Sequence, residues 1–244
     1  MATSPSPNAS NFQQPMNAQL LGSQEIAPEV RHFTFEVPEL DQLEFTAGQF
    51  VSFTEEVRGR AVTRAYSLAA APDGNRFEIC LNRVREGLLS PWLFQMKPGD
   101  TVKMLGPLGY FVPRQPFRDS VFVATGTGVA PFRAFLGSRI VREHEGRISL
   151  LFGARFAERL LYRAEFEHLA EARPGFQFMP TITRPPEDWA GRRGRVQQHL
   201  DEALDGRTDI DVYICGLKAM VDEVRELLKA RGFDRKQIIC EKYD

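Results

Sequence analysis

Residues 120–131 read Ser120-Val-Phe-Val-Ala-Thr-Gly-Thr-Gly-Val-Ala-Pro131. Ser120 to Ala124 is a short apolar run of the kind that forms a strand buried on both faces. Pro131 suits the first turn of a following helix. Between them, Gly126 and Gly128 flank Thr127 where the backbone must come close to a ligand, so that free amides and the positive end of the helix dipole would face a diphosphate. The third glycine of the usual dinucleotide fingerprint is replaced by Pro131, and the segment taken alone also fits a tight strand-to-helix turn that holds no ligand.

Downstream of this turn the pattern alternates strand and helix, which predicts a parallel sheet. A helix is expected over Pro131–Arg142, a strand over Arg147–Phe152, a helix over Arg163–Glu171 and a strand over Phe176–Thr181. Helix Val196–Ala203, strand Val212–Cys215, helix Lys218–Arg231 and a last strand Gln237–Cys240 follow. Upstream, short β-rich segments dominate: Val30–Val37, Gln49–Phe53, Thr63–Ala69, Arg76–Val84 and Thr101–Leu105, punctuated by Ala47-Gly48, Pro72-Asp73-Gly74 and Lys97-Pro98-Gly99-Asp100. Many short strands at that spacing predict an antiparallel barrel or sandwich. The rhythm changes at Pro113 to Pro116, which sets the seam. The expectation is therefore a flexible tail over residues 1–20, an antiparallel β-barrel over 21–115, and an α/β parallel-sheet, nucleotide-binding domain over 116–244.

Composition supports a two-domain soluble chain. Its 244 residues are 43% hydrophobic and 26% charged, and no apolar run approaches the roughly 18 residues that would span a bilayer. Balanced charge, 31 Lys+Arg against 32 Asp+Glu, argues against nucleic-acid binding through a broad basic surface. The three cysteines, Cys80, Cys215 and Cys240, are too scattered for a disulfide framework, a metal motif or an iron–sulfur cluster within this chain. The N-terminus lacks a basic region followed by an apolar core, so the expected location is cytoplasmic.

Three arginines stand where a nucleotide would end. Gly153-Ala154-Arg155 lies near the end of the second parallel strand, where an NAD-binding fold often carries an acidic residue for the ribose; arginine there suits a 2′-phosphate. Arg184 and Arg195 follow other strand ends, and together the three could surround one phosphate, although each alone also reads as solvated surface charge. In the first domain, Arg64-Ala65-Tyr66-Ser67-Leu68 reads as a strand with Arg64 and Tyr66 on one face and Ser67 on the other. Gly87-Leu88-Leu89-Ser90-Pro91 reads as a helix start, with Ser90 as N-cap and Pro91 at the first helical position. Barrel packing for Tyr66 and a plain cap for Ser90 are the alternative readings.

Taken in chain order, Arg-x-Tyr-Ser (64–67), Gly-x-x-Ser (87–90), Gly-Thr-Gly-x-Ala-Pro (126–131) and Cys-Gly (215–216) resemble the ferredoxin–NADP(H) reductase superfamily over roughly residues 25–244. The resemblance implies that the barrel binds FAD and the α/β domain binds NADP(H). By it, Arg64 binds the flavin diphosphate, Tyr66 stacks on the isoalloxazine, Ser67 hydrogen-bonds near flavin N5, Leu68 adjoins them, and Gly87, Leu88 and Ser90 complete the flavin phosphate site. Likewise Gly126, Thr127 and Gly128 receive the NADP diphosphate; Arg155, Arg184 and Arg195 take the 2′-phosphate; and Cys215 and Gly216 sit beside the nicotinamide. Glu241 or Tyr243 would line the flavin face. On this basis Tyr66, Ser67, Cys215 and Glu241 are the candidate catalytic residues, and no metal is expected. The implied reaction is hydride transfer between nicotinamide and flavin, with electrons passed to or from ferredoxin or flavodoxin on a separate chain by a monomeric enzyme. A reductase component of an oxygenase system and a non-catalytic flavin- or nucleotide-binding regulator are the alternatives.

Overall fold

A computed structural model describes residues 14–243. Among them the first sheet takes β1 (Met16–Ala27), β2 (Val30–Glu36), β3 (Phe50–Val57), β4 (Arg60–Ser67), β5 (Arg76–Asn82) and β6 (Thr101–Leu108). The strands are antiparallel in the order β4-β3-β6-β1-β2-β5. Pleating sends alternate side chains inward, and the inward set is aromatic: Phe33, Phe35, Phe53 and Phe77 are all buried, with Phe35 stacked on Phe77 at 5.5 Å between centroids. The sheet closes where Leu68 bridges Ile79 and the Ala69 N–H donates to the Glu78 carbonyl at 2.7 Å. This is the antiparallel barrel that the short strands imply.

Two local expectations are corrected here. Of the tail expected over 1–20, residues 1–13 lie outside the described residues, while Met16–Leu20 belong to β1, which pairs with both β2 and β6 and buries Ala18 and Leu20. Small and amide side chains mask the alternation of that strand. Ser90 is not a helix cap: α1 (Leu89–Leu93) is capped at Leu88, and the Ser90 hydroxyl, inside the helix, accepts the Val84 N–H at 2.9 Å, bracing the loop ahead of it.

The second sheet is wholly parallel. It takes β7 (Ser120–Thr125), β8 (Ile148–Ala154), β9 (Phe176–Ile182), β10 (Arg192–Arg193), β11 (Asp211–Leu217) and β12 (Ile238–Tyr243) in the order β10-β9-β8-β7-β11-β12. Alternate residues feed two apolar layers: Phe122, Leu150 and Phe152 on the side of α2 (Ala130–Gly137), α3 (Arg139–Arg142) and α4 (Arg163–Ala172); Val121, Val123 and Leu151 on the side of α5 (Leu200–Leu204) and α6 (Lys218–Ala230). The expected helix over 131–142 is two helices, because Ser138 turns to ψ 148° and its hydroxyl bonds back to the Phe135 carbonyl at 2.6 Å.

The barrel docks on the α2 side. Ala27, Val30, Ala47, Ala69, Cys80 and Phe111 join the same apolar cluster as Phe132 and Phe135 of α2. Gly48, at φ 94°, lies so close to this contact that a Cβ would collide with the Phe111 carbonyl and the Phe135 ring. In the parallel sheet the chain runs outward from β7 on one side and returns to β11 on the other, which leaves a crevice at the carboxyl ends of these two strands, where open α/β sheets bind ligands.

Candidate functional site

Two cavities open along the seam between barrel and α/β domain, and Asn82 and Thr127 line both. The Asn82 amide reaches the Thr127 hydroxyl at 3.4 Å, so one contact between the domains marks where the cavities meet.

The barrel-side cavity, of about 280 Å³, is lined by Arg64, Tyr66, Ser67, Gly87, Leu88 and Ser90, with Tyr243 contributed by the other domain. Tyr66 rests on Phe53 at 5.6 Å between centroids, so it packs the barrel and lines the cavity at once; burial pushes its hydroxyl up to about 12 despite the neighbouring Arg64. Leu68 is corrected: it sits one pleat deeper on the Tyr66 face, where the bridge to Ile79 closes the barrel over it, and it is wholly buried in the core.

Ser67 points out of the barrel toward β12. Its hydroxyl donates to Glu241 Oε1 at 2.9 Å and lies 2.7 Å from the Tyr243 hydroxyl. A serine has one proton to give, so Tyr243 is the donor in the second bond. Glu241 stands behind Ser67, outside the cavity wall, and burial raises its carboxyl above the usual range against the pull of the Ser67 bond. Cys215 is paired in register with Glu241 and is fully buried, and burial pushes its thiol up.

The second cavity is larger, about 640 Å³, and lies at the carboxyl ends of β7 and β8. Gly126 and Thr127 form one wall, in a 3-10 turn that leads into α2; Gly126 has φ 56° with open space where a side chain would stand. Gly128 is buried and does not line the second cavity; a Cβ there would strike the Cys215 carbonyl, so this glycine admits the β11 backbone. Gly216, at φ 151°, packs against Thr125 and Met220, and neither it nor Cys215 lines either cavity.

Arg155, Arg184 and Arg195 all line the second cavity, as the spacing suggested, and a fourth arginine, Arg159, joins them. It was legible only as the residue four beyond Arg155, which a 3-10 turn over Ala157–Arg159 folds back. The ion pairs among the described residues engage other arginines and leave these four unpaired. Glu223, also in the lining, is held by the Gln197 amide at 2.7 Å. Thr125 was missed as well: its hydroxyl is buried in the same wall without a hydrogen-bond partner among the described residues.

The fit to two nucleotide cofactors is good on these observations. Unpaired guanidinium groups around an open glycine turn suit phosphate groups. A cavity walled by an aromatic face and a hydroxyl suits a planar heteroaromatic ring.

Known proteins point to the same two classes of cofactor. Residues 17–112 match the family model described as an oxidoreductase FAD-binding domain, and residues 122–226 match the one described as an oxidoreductase NAD-binding domain. The fold and site thus define a two-domain flavoprotein oxidoreductase that pairs a flavin with a nicotinamide nucleotide. A curated protein of Sorangium cellulosum (strain So ce56), named ferredoxin–NADP reductase B, is 39% identical over 241 residues, which cover 95% of this chain and 98% of that one. The toluate 1,2-dioxygenase electron transfer component of Pseudomonas putida is 30% identical over 84% of this chain and 60% of its own length. A solved ferredoxin NADP+ reductase from Neisseria gonorrhoeae, with bound FAD and NADP, superposes with a TM-score of 0.82 at 25% identity, over 93% of this chain and 98% of that one. The chain belongs to the ferredoxin–NADP(H) reductase superfamily. No helix among the described residues is long and apolar enough to cross a membrane.

Proposed function

We propose that this chain is an NADPH-selective, FAD-dependent ferredoxin (or flavodoxin)–NADP(H) reductase. The observation that carries NADPH over NADH is the ring of four arginines, outside the ion pairs among the described residues, at the carboxyl end of β8 and beyond. Such a ring in an open cavity is matched by a doubly charged phosphate and has no counterpart in the neutral ribose of NADH. Arg64, Gly87, Leu88 and Ser90 would hold the flavin diphosphate and Tyr66 its ring, with Gly126 and Thr127 at the nicotinamide nucleotide's diphosphate. When bound, the pair supplies hydride transfer between nicotinamide and flavin and splits two electrons into single ones. The chain's own share is orientation and proton management. Ser67 and Tyr243 in the wall of the barrel-side cavity and the raised Glu241 carboxyl behind it form a hydrogen-bonded group, which holds a proton to higher pH than a free carboxyl would.

The test is to purify the protein, record its visible spectrum and titrate it anaerobically with NADPH and NADH in parallel. Flavin bands that bleach preferentially with NADPH are expected. A colourless protein that cannot take up FAD overturns the reading, and equal bleaching by both nucleotides overturns the 2′-phosphate assignment.

The resemblance to the toluate dioxygenase component favours a second reading, a reductase that feeds an oxygenase through a separate iron–sulfur protein. Turnover with purified ferredoxin, flavodoxin and a Rieske-type carrier, compared at equal concentration, separates the two.

A further inference from the structure

Behind the point where the cavities meet, a polar network crosses between the domains, and the proposed function does not use it. Arg133 of α2 donates to Glu78 of β5 at 2.6 Å and to the Ala69 carbonyl at 2.7 Å, both in the barrel. Its Nε donates to Glu165 of α4 at 2.8 Å, and its guanidinium lies over the Tyr162 ring at 4.8 Å. From β2, His32 reaches back across the seam: Nε2 is 3.2 Å from the same Glu78 oxygen and Nδ1 is 2.9 Å from the Tyr162 hydroxyl. One assignment satisfies every atom, with Tyr162 donating to Nδ1 and Nε2–H donating to Glu78.

Two features set this network apart from incidental surface pairs. Its side chains are largely withdrawn from water, His32, Glu78 and Arg133 being 16%, 28% and 21% exposed. Tyr162 adopts φ 56°, a left-handed conformation that is unusual for a bulky side chain and persists only where surroundings impose it. The network also sits at the roots of both cavities. Glu78 and Cys80 precede Asn82 on β5, and Cys80 itself stands in the wall of the barrel-side cavity. Arg133 lies on the helix launched from the Gly126–Thr127 turn, and Leu161, next to Tyr162, lines the larger cavity.

We propose that His32, Glu78, Arg133 and Tyr162 are positioning residues that fix the angle between the two domains, and with it the approach of the nucleotide cavity to the flavin cavity. The apolar seam holds the domains together but is non-directional. A guanidinium that must satisfy a carboxylate and a carbonyl on one domain and a carboxylate on the other fixes orientation as well. This inference rests on the reading of the chain as a reductase that passes hydride across the seam.

The test uses the full-length flavin-loaded protein with Arg133→Leu, Arg133→Lys, Glu78→Gln and Tyr162→Phe. Flavin content, binding of 2′,5′-ADP, the rate of flavin bleaching at saturating NADPH, and hydrogen exchange over residues 69–80 and 130–137 are measured for each. Since misplacement of reacting groups by an ångström costs up to about a hundredfold in rate, Arg133→Leu is expected to slow bleaching about ten- to a hundredfold. Flavin content and 2′,5′-ADP binding, whose proposed phosphate-binding residues each lie within one domain, should stay within twofold, and exchange on both sides of the seam should quicken. Arg133→Lys, which keeps the charge and loses the fork, should fall between. Unchanged bleaching with unchanged exchange overturns the proposal, as does a loss of thermal stability with bleaching intact. If Arg133→Leu does not fold, Tyr162→Phe and Glu78→Gln decide by the same pattern. If even the wild type takes up no flavin, the reductase reading fails, while exchange across the seam still reports whether the network holds the domains.

Discussion

The two cavities differ in how their polar groups are occupied. On the barrel side, Ser67 is bonded to Glu241 and Tyr243, Ser90 to the Val84 amide, and Arg64 to the Thr63 carbonyl. On the nucleotide side, Arg155, Arg159, Arg184 and Arg195 project into a space more than twice as large, outside the ion pairs found among the described residues. A cavity whose walls are held by internal bonds suits a cofactor that stays. One with unmet charge suits a substrate that binds and leaves, because the charges that attract it are otherwise solvated.

The largest effects should come from the barrel side. Tyr66→Ala removes a ring whose burial is worth about 1.5–3 kcal/mol, so flavin retention should weaken by about ten- to a hundredfold. Arg64→Ala removes the cation at the cavity edge. Both variants should lose flavin on desalting, read as the ratio of visible to ultraviolet absorbance, whereas Tyr66→Phe, which keeps the ring, should not. A full flavin complement in both alanine variants would sink the assignment of this cavity.

On the nucleotide side, Arg155→Ala, Arg184→Ala and Arg195→Ala should each raise the KM for NADPH about tenfold, the worth of one charge-assisted hydrogen bond. The KM for NADH should stay within about twofold and flavin content should not change. Arg159→Ala tests the fourth arginine in the same way. Equal effects on both nucleotides would break the contrast, since the ring would then serve general attraction and not the 2′-phosphate.

How legible this was in the sequence depended on whether a feature was local. The strands with inward Val and Phe, such as Val30–Glu36 and Ser120–Thr125, declare themselves through period and composition. β1 does not, because Gly22 breaks the phase that Ala18 and Leu20 begin, and the strand is held by two partners rather than by its own pattern. The glycine turn and the three arginines were readable because each closes a strand of the parallel sheet. Ser90 was misassigned because a Ser-Pro pair inside a first turn looks like a cap, and only the loop from Val84 shows where the hydroxyl bonds. The network of His32, Glu78, Arg133 and Tyr162 was invisible, since its members lie 55 to 130 residues apart across the seam.

The smallest expected effect separates the cavities by titration. Burial raises the Glu241 carboxyl above its usual 4.5, so the folded state binds that proton more tightly than the unfolded chain does. The associated stability is complete below about pH 4.5 and is lost as pH rises through the raised folded value. Glu241→Gln keeps the acceptor for Ser67 and removes the titration. Its melting temperature relative to wild type should therefore climb with pH across that window and level off above it, by a few degrees at most, given ~2–4 °C per kcal/mol for a chain of this size. Arginines do not titrate in this range, so Arg155→Ala should differ from wild type by a constant amount between pH 4 and 8. Thermal unfolding followed over that range checks both. A Glu241→Gln difference as flat as that of Arg155→Ala would mean that the Glu241 carboxyl is solvated in the folded protein, and that the bond from Ser67 does not close the barrel-side cavity against the other domain.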